Sequence, residues 1–174
     1  MKITFEDAVE IVLSKEGGYT ADPDDSGNWT GGKVGKGVLK GTKFGISAAA
    51  YPDFDIKTLK RSEAVAIYKR DYWDKLRAEQ LPDSLRLTVF DMAINAGVSR
   101  AVKLLQQVCK VEQDGIIGPI TISQAQTIGL AAYSKIRQDY YKKITARDPK
   151  KLKYFNGWIK RTLYVEKATE NLLK

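Results

Sequence analysis

The chain has 174 residues, of which 43% are hydrophobic and 29% charged, with a formal net charge of +8, one cysteine and no histidine. That length fits one domain with a sizeable core. The composition rules out an internal disulfide, histidine-based triads and the usual histidine zinc sites, so any proton transfer falls to carboxyl groups, Lys or Tyr; neither metal nor cofactor is expected.

Thr4 is placed to cap a first helix, with Asp7 three residues on. Phe5, Val9, Val12, Leu13 and Glu16 then share one helical face, and Gly17-Gly18 follows as a stop. A carboxyl group closing that face, at the negative end of the helix dipole and partly out of water, has its pKa raised, as a general acid requires. Residues 19–46 read as a long loop with short strands, with seven glycines between Gly27 and Gly45, and a loop of that length in a compact domain is usually functional.

The spacing predicts a second helix over 61–76, with Ala64, Ile67, Tyr68 and Tyr72 on one side. A third covers 83–95, apolar at Leu85, Val89, Phe90 and Ala93. Gly97 breaks it, and Ser99 is placed to cap the next, through about Lys110. Asp114 to Pro119 is a turn and Thr121 to Gln126 a short helix. Two long helices follow near 130–146 and 155–173, parted at Asp148-Pro149.

Charge is unevenly spread. From Tyr133 to Lys174 there are twelve basic residues against four acidic ones, an excess equal to that of the whole chain. This points to a polyanionic partner, whether nucleic acid, an anionic membrane surface or an anionic cell-wall polymer, or else to a solvated basic face that only aids solubility. The N-terminal run Met1-Lys2-Ile3-Thr4-Phe5-Glu6-Asp7 has no signal-peptide character, and no segment reaches membrane-spanning length. The expectation is synthesis in a cytoplasm, with something else letting the protein out to any external substrate.

Asp25 follows Glu16 by nine residues, in the turn Ala21-Asp22-Pro23-Asp24-Asp25-Ser26-Gly27. A helix-terminal Glu and a loop-borne Asp across a cleft form the carboxylate pair of glycoside hydrolysis, one protonating the leaving oxygen and the other holding a water or stabilising the cationic transition state. Asp25 also suits plain turn formation. Tyr68, Tyr72 and Trp73 fit either a sugar groove or the core. Asn95 fits either substrate binding or a helix cap. Cys109 reads as a buried thiol. The segment Tyr154 to Arg161 either binds an anionic surface or packs its aromatics inward while its cations snorkel.

Glu16-Gly17-Gly18-Tyr19, then Pro23, Asp25 and Gly27, then Thr42-Lys43-Phe44-Gly45-Ile46-Ser47 resembles the N-terminal signature of glycoside hydrolase family 108, the lysozyme-like N-acetylmuramidases common among bacteriophage endolysins. Ala64 to Asp74 resembles the family's second helix, and Phe90 to Gly97 its central buried helix. Asp114-Gly115-Ile116-Ile117-Gly118-Pro119, with Thr121, resembles the C-terminal peptidoglycan-binding-like segment that accompanies it. The resemblance implies a mainly α, lysozyme-like two-lobed helical fold with a Gly-rich loop or small β region after the first helix. It implies one domain over 1–174, with a catalytic N-terminal lobe at 1–88 and a helical peptidoglycan-binding-like lobe at 89–174.

The implied activity is cleavage of the β-1,4 bond between N-acetylmuramic acid and N-acetylglucosamine in peptidoglycan glycan strands. The implied role is that of a monomeric phage endolysin acting in the periplasm or cell wall after release, with no nucleic acid involved. Carried over by position, Glu16 is the general acid and Asp25 the second carboxyl group. The third member of the site is a threonine, Thr30 by spacing or Thr42 by local context, with Gly31 to Gly41 as an insertion between them; Thr42 is the preferred choice. Tyr19, Thr30, Tyr72, Trp73 and Asn95 are the candidate substrate contacts.

A lytic transglycosylase would use the same Glu without water, and Asp25 argues against it. The rival from another class is a nucleic-acid-binding protein, because Ala93 to Ser99 resembles the turn of a helix-turn-helix. Lys103 stands where such a motif wants an apolar anchor, and that reading leaves Glu16 and the glycine-rich loop unexplained.

Overall fold

Thr4 and Asp7 begin the first helix reciprocally. The Asp7 backbone N–H donates to Thr4 Oγ1 (3.2 Å) and the Thr4 N–H to Asp7 Oδ2 (3.0 Å), so two otherwise orphaned donors are satisfied. The helix α1 runs Phe5–Leu13 and buries Phe5, Ala8, Val9, Val12 and Leu13. Ser14 Oγ donates to the Ile11 carbonyl (2.7 Å) and the Lys15 N–H reaches Val12 O (3.0 Å), which tightens and closes the last turn. The structure, a computed structural model, describes residues 2–15 and 17–174; Met1 and Glu16 lie outside the described residues.

The chain forms two compact units, Val9–Lys69 and the rest, which joins Arg70–Lys174 to the residues through Ala8. In Val9–Lys69 regular structure is sparse. Strands β1 (Thr42–Lys43) and β2 (Ile46–Ser47) pair antiparallel, Thr42 opposite Ser47 and Lys43 opposite Ile46. Their two-residue turn, Phe44-Gly45, has positive φ at both positions (52° and 74°), as a tight hairpin of matching twist requires. Phe44 is an unusual residue there, and the Tyr68 hydroxyl donates to its carbonyl. The helix α2 (Arg61–Tyr68) supplies buried Ala64, Ile67 and Tyr68, which join Val9, Val12, Leu13, Ile46, Ala48, Ile56 and Leu59 in this unit's core. The predicted continuous helix over 61–76 is interrupted, because the α geometry gives way to a π turn at Lys69–Trp73.

The other unit is helical. α3 (Asp83–Ala96) is buried at every position from Leu85 to Ala93, and α4 (Val98–Cys109), α6 (Leu130–Arg147) and α7 (Leu152–Leu172) pack around it. α5 (Pro119–Ala125) is short and packs on α4. Burial of this kind contributes about 1.5–3 kcal/mol for each large apolar side chain. Gly97, at φ 89°, both ends α3 and precedes α4; Ser99 lies inside α4 and does not cap it. Asp148 caps the single turn Pro149–Lys151 that parts α6 from α7. Trp158 stacks on Tyr141 at 5.0 Å, so part of the C-terminal aromatic segment packs inward while Tyr154 and Leu152 stay exposed. The fold is mainly α with a small two-stranded sheet after the first helix, the lysozyme-like class expected. Among the described residues, no helix is long and apolar enough to cross a membrane.

Asp91 and Arg137 are buried side by side within α3 and α6. Arg137 Nη2 meets Asp91 Oδ2 at 2.7 Å and Arg161 Nε of α7 meets Asp91 Oδ1 at 2.9 Å. Arg137 Nη1 also donates to the carbonyl and hydroxyl of Thr88 (3.2 and 3.0 Å). Burial pulls the Arg137 guanidinium down, but the Asp91 charge and hydrogen bond outweigh it and hold the group above its ordinary value.

Candidate active site

The loop after α1 is organised by Asn28, a residue that its sequence neighbours do not single out. It is wholly buried. Its Nδ2 donates to the Asp22 carbonyl (3.0 Å), its Oδ1 accepts from the Thr42 hydroxyl (2.7 Å) and its backbone carbonyl accepts from the N–H groups of Lys40 and Gly41 (3.0 Å each). Its own N–H donates to the Asp25 carbonyl (3.1 Å). One amide side chain thus ties the acidic turn to β1. A buried amide with all its groups satisfied holds backbone where apolar packing is thin. An Asn between Gly27 and Trp29 looks like one more turn residue, so the local sequence carried no signal of this role.

Asp25 is exposed at the head of the turn Ser26–Asn28. Its Oδ1 accepts from the Gly27 N–H (2.8 Å), capping that turn. Among the described residues, Oδ2 makes no hydrogen bond. The turn-forming reading of Asp25 is therefore realised through one oxygen. Trp29 braces the same turn, its Nε1 donating to the Pro23 carbonyl (2.8 Å).

The two candidate threonines differ. Thr42 is half-buried in β1, pairs with Thr20 through two backbone bonds (2.8 and 2.9 Å) and donates its hydroxyl proton to Asn28. Thr30 precedes the segment Gly31 to Gly41, most of which forms a hairpin-like excursion closed by the Trp29–Leu39 bridge. Its Oγ1 accepts from the Val38 N–H (2.9 Å). Gly37, at φ 83°, comes so close that a Cβ there would lie 2.3 Å from that oxygen. The Thr30 hydroxyl thus serves the hairpin, and the Thr42 hydroxyl serves the Asn28 network.

Tyr19 is 40% exposed and its ring lies over Gly41, where a Cβ would sit 2.7 Å from Cε2 and 2.3 Å from the Thr20 carbonyl. Glycine is required there by close approach as well as by its φ of 83°. Tyr19, Asp25, Thr30 and Thr42 all belong to Val9–Lys69. Tyr72, Trp73 and Asn95 belong to the helical unit, and Glu16 lies outside the described residues. Trp73 is fully buried, its ring edge-to-face with Phe5 (5.5 Å) and Phe90 (5.3 Å) and its Nε1 donating to Glu79 (3.2 Å). Burial raises the Glu79 carboxyl, yet its hydrogen bonds from Lys2 and Trp73 outweigh that and hold it below the ordinary value. Tyr72 is half-buried. Asn95 is exposed at the end of α3, and its Nδ2 donates back to the Asp91 carbonyl (2.8 Å) and carboxylate (3.2 Å).

The Asp114 turn is built as a second polar node. Gln106 Nε2 donates to Asp114 Oδ1 (2.6 Å) and to the Ile116 carbonyl (3.0 Å), and its Oε1 accepts from the Gly115 N–H (2.9 Å). The Ile116 backbone N–H, followed by Gln106, holds the Asp114 carboxyl below its usual range. Ile116 and Ile120 stand exposed beside it, around a small cleft of about 180 Å³.

Residues 9–97 match the family described as glycosyl hydrolase 108, and these residues include the Asp25 turn, the Asn28 network and Thr42. The chain belongs to glycosyl hydrolase family 108. Residues 100–163 match a second family, described as a predicted peptidoglycan domain, which takes in the Asp114 turn. The chain is a glycoside hydrolase that acts on peptidoglycan. Among solved structures, that of Brucella abortus SagA is similar over 96% of this chain and 94% of that one, with a TM-score of 0.78 and 28% identity. No curated protein matches the chain.

Proposed function

We propose that this family 108 hydrolase is an endolysin-type N-acetylmuramidase, cutting the β-1,4 bond between N-acetylmuramic acid and N-acetylglucosamine. Glu16 is the general acid, Asp25 the second carboxyl group and Thr42 the hydroxyl that completes the site. The observation that carries this reading is the family match across residues 9–97, within which Asp25 and Thr42 are joined through Asn28. Thr42 gives its proton to Asn28 and so meets a water as an acceptor. Asp25 keeps one oxygen uncommitted among the described residues. Together they suit a water delivered to the face of the sugar opposite the acid, and hence inversion. The enzyme works as a monomer on the wall after release from the cell that made it, and its basic C-terminal quarter holds it electrostatically on the anionic envelope.

Removal of a general acid costs about 10²–10⁴ in rate. Glu16→Gln is therefore expected to keep the circular dichroism and melting curve of the parent and to lose reducing-end release from purified peptidoglycan by that factor. Mass spectrometry of the digest checks the bond: reducing N-acetylmuramic ends are expected, and anhydro-sugars would instead make the enzyme a transglycosylase. A folded Glu16→Gln variant with near-normal lysis would overturn the assignment.

A further inference from the structure

In the helical unit, a cleft of about 300 Å³ opens between α4 and α6. Three cations line it: Arg100 from α4, and Lys143 and Arg147 from α6. Among the described residues, no acidic side chain does. Among the described residues none of the three has an ion-pair partner, because the nearby acids are engaged elsewhere: Asp139 by Lys135 and Lys142, Asp148 by Lys151. Lys143 and Arg147 stand one helical turn apart, where like charges repel. The guanidinium of Arg100 is stacked over the Tyr140 ring at 5.2 Å, which restricts it to the cleft edge. Gln107 adds a neutral polar group, and Leu104, Ile136 and Ile144 form an apolar floor.

We propose that this cleft binds a phosphate ester of the bacterial envelope. Two arginine forks match the paired oxygens of a phosphate, and Lys143 beside them adds a third positive charge with no ion-pair partner among the described residues. The apolar floor suits the carbon portion of the ester. Small-molecule sites span about 300–1,000 Å³, so this cleft takes a headgroup-sized unit and not a length of polymer. The phosphate can come from a lipid headgroup or from a glycerol-phosphate unit of a wall polymer; the recognition chemistry is the same. The proposal rests on the reading that the basic C-terminal region meets an anionic envelope, and is independent of which glycosidic bond is cut.

The test uses the full chain and glycerol 3-phosphate as probe, followed by calorimetry and amide chemical shifts at α4 and α6. Saturable binding is expected, weakened at least about tenfold in Arg100→Gln/Arg147→Gln, with a smaller loss in Lys143→Gln. All three positions are exposed, and circular dichroism verifies the fold of each variant. Co-sedimentation with phosphatidylglycerol vesicles, competed by glycerol 3-phosphate, assigns the lipid source; glycerol 3-phosphate binding without vesicle binding assigns the polymer source. Equal affinity in the parent and the double variant, equal affinity for acetate, or no saturable binding would each overturn the proposal. Salt-sensitive wall binding that survives in the double variant, with no glycerol 3-phosphate binding by the parent, would remove the cleft and leave the broader electrostatic reading intact.

Discussion

In Val9–Lys69 the chain is organised around a buried neutral amide, Asn28, whereas in the helical unit a buried ion pair, Asp91 with Arg137, sits among packed helices. Asn28 gathers turns that have little apolar surface of their own, and its hydrogen bonds carry no charge that must be matched. Asp91 is surrounded by an extensive apolar core, and its two oxygens answer guanidiniums from α6 and α7. The two nodes are two uses of buried polarity. One shapes a loop that carries candidate chemistry. The other pins helix register in a region whose packing already supplies the stability.

The largest stability effect is expected at the ionic node. Asp91→Ala leaves Arg137 buried without its counter-charge and should cost about 3–5 kcal/mol, measured by urea denaturation; a loss below about 1 kcal/mol would mean that the ion pair is no more a keystone of its unit than Asn28 is of the other. Asn28→Ala comes next, at about 1–3 kcal/mol for the groups left unsatisfied. Here the rate of reducing-end release should fall further than stability does, because the Asp25 turn and Thr42 lose their common tether, while far-UV circular dichroism keeps its helical amplitude. Activity retained in a folded Asn28→Ala protein would mean that the network only supports the loop.

Gly41→Ala is expected to cost about 1–2 kcal/mol through its positive φ and the contact with Thr20 and Tyr19, again with activity the more sensitive readout. Smallest is the titration of Asp114. Its folded pKa is depressed, so it contributes stability above the ordinary carboxylate value and loses that contribution as pH falls through the lowered one. Melting temperatures of the parent and Asp114→Asn should therefore differ at neutral pH and converge in acid; a constant difference would assign the turn to geometry alone.

Much of the fold was legible along the chain. Thr4 and Asp7 announced α1, the apolar spacing announced α3, and Asp148-Pro149 announced the break between α6 and α7, because caps, periodicity and proline act within a few residues. The start of α4 is not legible from Ser99, since Gly97 with its positive φ serves both helices. The single helix expected over 61–76 missed the π turn at Lys69–Trp73. Trp73 illustrates the limit: its sequence neighbours suit a sugar groove as well as a core, and only Phe5 and Phe90, distant in sequence, show that it is buried.

The sequence alone determined the family, the absence of imidazole chemistry and the short list of carboxyl and hydroxyl groups, because residue types and their order suffice for those. Tertiary structure decided which of two threonine hydroxyls joins Asn28 and which closes a hairpin. It also decided that Asp91 is matched by Arg137 and Arg161, and that Arg100, Lys143 and Arg147 converge on one cleft. Each of these depends on groups separated by many residues along the chain, and a hydrogen bond or a charge pair acts over distances in space that sequence separation does not measure.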